Sequence, residues 1–189
     1  MDIDIDFADR NLILSKIKYH TACISQDKKH NTGVYVTQIP FDPRNNLSTI
    51  DYKKAEQRGY FKIDFLNVSL YNEIRDEAHL ISLMNNPPLW DLLEHDIFVD
   101  KLFHLSGHAH ICQQLKPRNI NQLAAVLAII RPAKRYLLKC DWQKIMNEVW
   151  LKPKDGAYYF KKAHAFSYAM AVIVHMNLLC EKYTTSSVS

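Results

Sequence analysis

The sequence predicts an α+β protein, with a small mixed β-sheet in the first third of the chain and a mainly helical lobe after it. Three observations carry that expectation. Residues 1–7 alternate apolar and acidic with a period of two, residues 33–39 and 59–66 read as short strands, and from Leu70 onward strand signals give way to helical spacing. The expected divisions are a β-rich segment over 1–68, a helical lobe over 69–183, and a disordered tail over 184–189.

The first strand sets the theme. Successive side chains of an extended chain point to opposite faces, so Asp2, Asp4 and Asp6 share one face and Ile3, Ile5 and Phe7 share the other, which should be buried. Carboxylates that close repel one another and raise each other's pKa unless a cation lies between them. Mg²⁺ suits such a set, since it is held by one or two carboxylates together with water and substrate phosphates. The other reading is an acidic N-terminus that merely alternates. Gly59-Tyr60-Phe61-Lys62-Ile63-Asp64-Phe65-Leu66 supplies a second apolar strand with one carboxylate, Asp64, and a lysine two residues earlier on the same face. Paired side by side, the two strands would bring Asp64 to Asp2 and Asp4.

Between them, residues 8–19 suit a short helix followed by loop. Gly33 to Ile39 reads as a strand stopped by Pro40, and Thr49 to Arg58 as a short helix or turn. The expected sheet is mixed, with a helix or two on one side. Beyond it, Ser69 is positioned to cap a helix running to Met84, which Asn85-Asn86-Pro87-Pro88 would end. Helices follow over Leu89–His95 and Ile97–Leu105, then over 120–130 capped by Asn119 and over 142–150 capped by Asp141. The segment from Ala163 to Tyr183 is apolar almost all round and should lie at the centre of the helical lobe.

With 189 residues, 48% apolar and 23% charged, the chain fits one domain or two small lobes with a real core. Cys23, Cys112, Cys140 and Cys180 are scattered, which suits buried thiols in a reducing compartment and not a disulfide framework. No apolar run of transmembrane length and no signal peptide are expected, which points to the cytoplasm and to no membrane partner. The net charge of +4 is unevenly distributed. Residues 113–162 hold eleven Lys or Arg against three Asp or Glu, a net of +8, while residues 1–112 hold twelve against sixteen, a net of −4. Carboxylates for metal in one half and cations for phosphate in the other suit nucleic-acid chemistry, although a solvated basic face with no partner fits the charge alone equally well. The spacing His104-x-x-x-His108-x-His110-x-Cys112 invites a zinc reading, but Ser106-Gly107 interrupts the helix that would align it and no second ligand pair stands out.

Several stretches, in this order, resemble the bacterial replicative DNA polymerases of the C family, the DNA polymerase III alpha subunits. Asp2-Ile3-Asp4-Ile5-Asp6-Phe7 resembles their Pro-Asp-x-Asp-x-Asp-Phe motif, with Met1 in the proline's place. His30-Asn31-Thr32-Gly33-Val34-Tyr35-Val36 resembles His-Ala-Ala-Gly-Val-Val-Ile, and Lys62-Ile63-Asp64-Phe65-Leu66-Asn67-Val68 resembles Lys-Phe-Asp-Phe-Leu-Gly-Leu. Leu102-Phe103-His104-Leu105 is a faint match to Val-Phe-Gln-Leu. Gln114-Leu115-Lys116-Pro117, Leu123-Ala124-Ala125-Val126-Leu127-Ala128 and Arg131-Pro132 are similar to the Leu-Lys-Pro, Ala-Leu-Val-Ala-Leu and Arg-Pro-Gly-Pro run of the fingers. Phe160 to Ala169 is similar to Phe-Asn-Lys-Ser-His-Ala-Ala-Ala-Tyr-Ala.

The resemblance implies a palm remnant followed by a fingers-like lobe, and a nucleotidyltransferase that acts on primer-template DNA with dNTPs. It implies that Asp2, Asp4 and Asp64 hold two Mg²⁺ ions, that Lys62 lies near the triphosphate or primer end, and that Asp6 is structural. Arg131, Lys134, Arg135, Lys161, Lys162 and His164 become the candidates for nucleotide and DNA phosphates, with Lys116 and Arg118 in the same basic set. Tyr158, Tyr159 and Phe160 could stack on a base. The family's Gly-Ser loop, PHP domain and OB domain have no counterpart in this sequence, so a second polymerase chain is the expected source of the loop. The compact size suggests a phage, and the location implied is the cytoplasm of a bacterial or phage-infected cell. The alternative is a catalytically inactive relic that binds DNA or a polymerase.

Overall fold

The computed structural model describes residues 3–25, 27–153 and 156–186. The protein is α+β, and its chain divides into two compact units, Met1–Ile74 and Arg75–Ser189.

The first unit is built on a six-stranded mixed sheet: β1 (Ile3–Phe7), β2 (His20–Ser25), β3 (Lys28–Tyr35), β4 (Phe41–Asp42), β5 (Leu47–Asp51) and β6 (Ile63–Asn67), in the order β1-β6-β3-β2-β5-β4. The chain-terminal strands of this set, β1 and β6, run parallel, and β6 is antiparallel to β3. Asp27, with φ of 61°, turns the β2–β3 hairpin, and Asn46, with φ of 56°, turns β4 into β5. Both residue types tolerate the left-handed region because their short polar side chains bond locally. Two short helices cover the sheet. α1 (Arg10–Leu14) is capped by Asp9 and brings Leu14 onto Val34 and Phe65, while α2 (Tyr52–Gln57) is capped by Asp51 and brings Ala55 onto Ala22 and Tyr35. Val34 and Tyr35 are consecutive in β3, so the helices lie on opposite faces and not on one side as the sequence suggested.

Other expectations for this unit need correction as well. β2 carries no clean alternation and was expected to be loop. The stretch from Thr49 to Arg58 opens as part of β5 and turns helical only at Tyr52. The apolar face of β1 is not buried: Ile3 and Ile5 are 40% and 37% exposed, and only Phe7 packs inward, its ring 5.0 Å from Phe65. β1 is the sheet's edge, and the α1 cluster reaches no further along it than Phe7.

The second unit holds α3 (Glu77–Asn85), α4 (Asp96–Val99), α5 (Ala109–Leu115), α6 (Ile120–Ile129), α7 (Trp142–Glu148) and α8 (Lys162–Ser186), joined by 3₁₀ turns at Trp90–Glu94 and Pro132–Lys139. The single helix expected from Ser69 to Met84 is two pieces. A 3₁₀ turn over Ser69–Glu73 ends at Ile74, which is extended, and α3 starts afresh with Asp76 accepting from the His79 amide at 2.8 Å. The helix expected over residues 97–105 stops at Val99, and His104 sits at φ of 60°, outside helical geometry. Asn119 and Asp141 cap α6 and α7 as the sequence implied.

α6 and α8 form the core. Leu123 through Ile129 are all buried, and they pack with Ala165, Ala169, Val172, Ile173 and Met176 of α8. Alanines at the crossing let the two backbones approach closely while the branched residues fill the flanks. Polar side chains of α8 then fasten its neighbours. Asn177 Nδ2 donates to the Leu83 and Asn86 carbonyls at 2.8 and 2.9 Å, satisfying the end of α3. His79 Nδ1 accepts from the Arg75 amide at 3.1 Å and its Nε2 lies 3.0 Å from Glu181.

Residues 162–184 of α8 are long and apolar enough to cross a membrane by length and composition, contrary to the expectation that no segment reaches that length. Half of an apolar 18-residue window within it is buried inside the protein, where its apolar residues serve the core. α8 also continues to Ser186, through part of the tail expected to be disordered; residues 187–189 lie outside the described residues.

Candidate functional site on the carboxylate face of the sheet

The pairing of β1 with β6 decides whether the acidic residues meet. Their register matches Asp4 with Asp64, Ile5 with Phe65 and Asp6 with Leu66. Directly paired residues of neighbouring strands project to the same face, and adjacent strands are about 4.8 Å apart. Asp4 and Asp64 therefore stand side by side on one face, while Ile3 and Ile5 join Ile63 and Phe65 on the other. Asp2 lies outside the described residues.

β3 flanks β6 on its other side and pairs Gly33 with Asp64. Asp64 is 8% exposed, and its carboxylate is held on both oxygens. Thr32 Oγ1 donates to Oδ1 at 2.8 Å, and the Lys62 ammonium pairs with Oδ2. Lys62 is shielded too, with its ammonium 6.0 Å from the centre of the Tyr52 ring. Its stem crosses β3 over Gly33, where a Cβ would lie 2.7 Å from Lys62 Cδ and 3.0 Å from His30 Nδ1. His30 Nδ1 accepts from the Gly33 amide at 2.9 Å, so it bears no proton there, and its 3.6 Å approach to Asp64 Oδ1 is not a hydrogen bond. The His30 ring meets Tyr52 edge-on at 5.3 Å.

Asp6 is set apart from this cluster. Its carboxyl is raised above the usual range by burial and then by the charge of Asp4, against which a hydrogen bond to the Tyr71 side chain acts in the opposite direction. The Tyr71 phenol is raised in turn, by burial first and by Asp6 second. Asp6 thus bonds the Tyr71 side chain.

No protein-family model matches the chain, and no curated protein does.

Among the described residues, no three His, Cys, Asp or Glu side chains gather as a metal cage. Two carboxylates at matched positions are nevertheless the donor chemistry that Mg²⁺ takes from a protein when phosphates and water complete its shell. Asp4 and Asp64 fit that role. Lys62 leaves Asp64 Oδ2 with a lone pair still unused, because a carboxylate offers about four. Of the zinc pattern, Cys112 is fully buried in the core, where burial pushes its thiol up to about 12, and His104 packs edge-on to Tyr168 at 4.5 Å.

The basic residues singled out in the second unit have unequal surroundings. Lys134 is 3% exposed and donates to the carbonyls of Glu148 and Leu151 at 2.8 and 2.6 Å, so it closes the end of α7 and does not face solvent. Burial holds its ammonium below the usual lysine range, partly opposed by Glu148. This corrects the assignment of Lys134 to phosphate binding. Lys116 is paired with Glu94 at 2.7 Å, and Arg118 with Asp91 and Glu94. Arg135 donates to the Ile130 carbonyl at 2.6 Å, capping α6. Lys161 and Lys162 are exposed, the latter with its ammonium 5.8 Å from the Phe166 ring.

Arg131 sits 5.1 Å from the Phe160 ring centre, with Phe160 stacked on Tyr168 at 5.4 Å and the His164 ring 6.5 Å away and nearly parallel to it. Phe160 is buried, while Tyr158 is 73% exposed, so of these two aromatics only Tyr158 is open to a base. The Arg131 Nε and His108 Nδ1 atoms are buried without a hydrogen-bond partner among the described residues. The His104 imidazole is lowered by burial and then by Arg131; that of His108 is lowered by burial, Arg135, His110 and Arg131. Burial, the larger cause at both imidazoles, disfavours charge of either sign, and the contributions of Arg131, Arg135 and His110 are the part that reflects local positive charge.

Sequence reasoning missed Thr32 and His30 as neighbours of Asp64, and Tyr52 as the ring beside Lys62 and His30. The adjacency of Thr32 to Gly33 was the available signal, but strand register links it to Asp64, and register is not written in local composition.

Proposed function

We propose that this chain is a DNA polymerase-like nucleotidyltransferase, transferring a nucleotide from a dNTP to a primer 3′-hydroxyl. The single observation that carries the reading is the register of β1 on β6, which puts Asp4 and Asp64 on one face of adjoining strands. With Asp2 in the same alternating segment, they are the residues that would hold Mg²⁺. Bound there, the metal would lower the pKa of the attacking hydroxyl and neutralise phosphate charge. Thr32 and Lys62 hold the Asp64 carboxylate on both oxygens, so its geometry is set before substrate arrives. Arg131, Lys161, Lys162 and His164 are the groups offered to nucleotide or DNA phosphates, with Arg135 available after its carbonyl contact.

One observation favours the second reading, a catalytically inactive DNA-binding or polymerase-interacting protein. Lys62 already neutralises Asp64, so no metal is required to balance that charge. Primer extension with Mg²⁺ and four dNTPs, comparing the wild type with Asp64→Asn, alone and with a partner chain, separates the two. The enzyme reading expects incorporation that Asp64→Asn abolishes. No Asp64-dependent incorporation in either arrangement would leave the binding role.

A further inference from the structure

We infer that Thr32 is a positioning residue, whose hydroxyl fixes the Asp64 carboxylate in the orientation from which it binds a divalent cation. The inference rests on the reading of Asp4 and Asp64 as metal ligands, but assigns a residue that reading does not contain. The resembling motif carries alanine where this chain has Thr32, so the hydroxyl belongs to this sequence and not to the pattern.

The geometry is specific. Thr32 Oγ1 lies 2.8 Å from Asp64 Oδ1 and 3.4 Å from His30 Nδ1. A hydroxyl has one proton to give. His30 Nδ1 is already occupied by the Gly33 amide at 2.9 Å, so the proton belongs on Asp64. Lys62 holds the other carboxylate oxygen. With one donor on each oxygen, rotation of the carboxylate about its Cβ–Cγ bond breaks a contact in either sense, and each oxygen keeps lone-pair capacity for a cation. A freely turning carboxylate must lose that freedom on binding; a clamped one has lost it beforehand. Thr32 is suited to the task because its branched Cβ restricts its own rotamer in a strand, and Gly33 beside it leaves room for Lys62 to reach the second oxygen.

The test uses Mn²⁺ as a paramagnetic probe, titrated into the full chain and read by the loss of the free-ion resonance. The wild type binds, Asp64→Asn loses binding, Thr32→Val weakens it roughly tenfold, and Thr32→Ser restores it to within about twofold, as expected of one hydrogen bond to a charged group. Circular dichroism identifies folded variants, and Thr32→Ala replaces Thr32→Val if the latter does not fold. Thr32→Val or Thr32→Ala binding like the wild type, or Thr32→Ser failing to restore affinity in a folded protein, overturns the role of Thr32 alone. Absence of Mn²⁺ binding in the wild type, or binding that Asp64→Asn leaves intact, overturns the metal reading and this inference with it.

Discussion

Gly33 and Lys62 compete for one volume: a Cβ on residue 33 would stand 2.7 Å from Lys62 Cδ, closer than such atoms approach. The absence of a side chain in β3 is what lets a lysine stem cross the strand and reach Asp64. Gly33→Ala should therefore displace Lys62 and loosen the pair, at a cost of about 1–3 kcal/mol typical of overpacking. Urea unfolding checks this, and Gly33→Ala should cost less in a Lys62→Ala background than in the wild type, since the shortened side chain no longer meets the new methyl.

Lys62 and Asp64 have side chains only 10% and 12% exposed. Removing one member of a shielded ion pair leaves the other charge uncompensated, which costs about 3–5 kcal/mol. Asp64→Asn is the milder single change because the amide oxygen still accepts from Thr32 or Lys62, and Lys62→Met the harsher. The double variant Lys62→Met/Asp64→Asn should be more stable than Lys62→Met alone. A double-mutant cycle from denaturant midpoints measures the coupling; additive losses would show that the two side chains do not interact in solution.

Tyr35 is fully buried, and its hydroxyl has no hydrogen-bond partner among the described residues. Burial, followed by the charges of Asp51, Asp64, Cys23 and Glu56, pushes the phenol up to about 12 from 10. Above pH 10 the unfolded chain releases this proton while the folded chain keeps it, so the folded state binds more protons and stability falls as pH rises from about 10 to about 12. Tyr35→Phe should remove that part of the alkaline loss and, by deleting an unsatisfied polar group, stabilise the protein by about 1 kcal/mol at pH 7. Thermal melts at pH 7 and pH 11 test both statements. A destabilised Tyr35→Phe would mean that the hydroxyl has a partner, such as an ordered water.

The parts of the fold legible in the sequence were those written locally. Asp141 and Asn119 mark helix starts because a cap is a contact across three residues, and α8 declares itself by being apolar on nearly every face. The acidic alternation in β1 gave the face on which Asp4 stands, and the strand around Asp64 was visible for the same reason. What could not be read depends on partners distant in sequence. β2 lacks alternation because bulges at Thr21–Cys23 and Cys23–Ser25 shift its register against β3. Lys134 looked like one more exposed cation, because nothing near it in the chain reveals that the end of α7 needs a donor. The opposite error concerned Ile3 and Ile5, whose pattern promised burial that an edge strand does not provide.

Arg131 offers a test that joins electrostatics to the proposed contact with nucleic acid. Its guanidinium lies over Phe160 and contributes, after burial, to holding the His104 imidazole below its usual range. Arg131→Gln should raise the His104 pKa without restoring it fully, because the burial contribution remains, and the ring resonances in an NMR titration report this directly. In the same variant, duplex affinity measured by fluorescence anisotropy should fall, and the slope of log affinity against log salt should shrink by about one unit, the expectation for losing one phosphate contact. The wild type should lose affinity steeply between low and physiological salt. A His104 shift with an unchanged salt slope would keep Arg131 as a structural cation packed on Phe160 and remove it from the DNA interface, whereas a flat wild-type response would remove DNA from the partners of the basic segment.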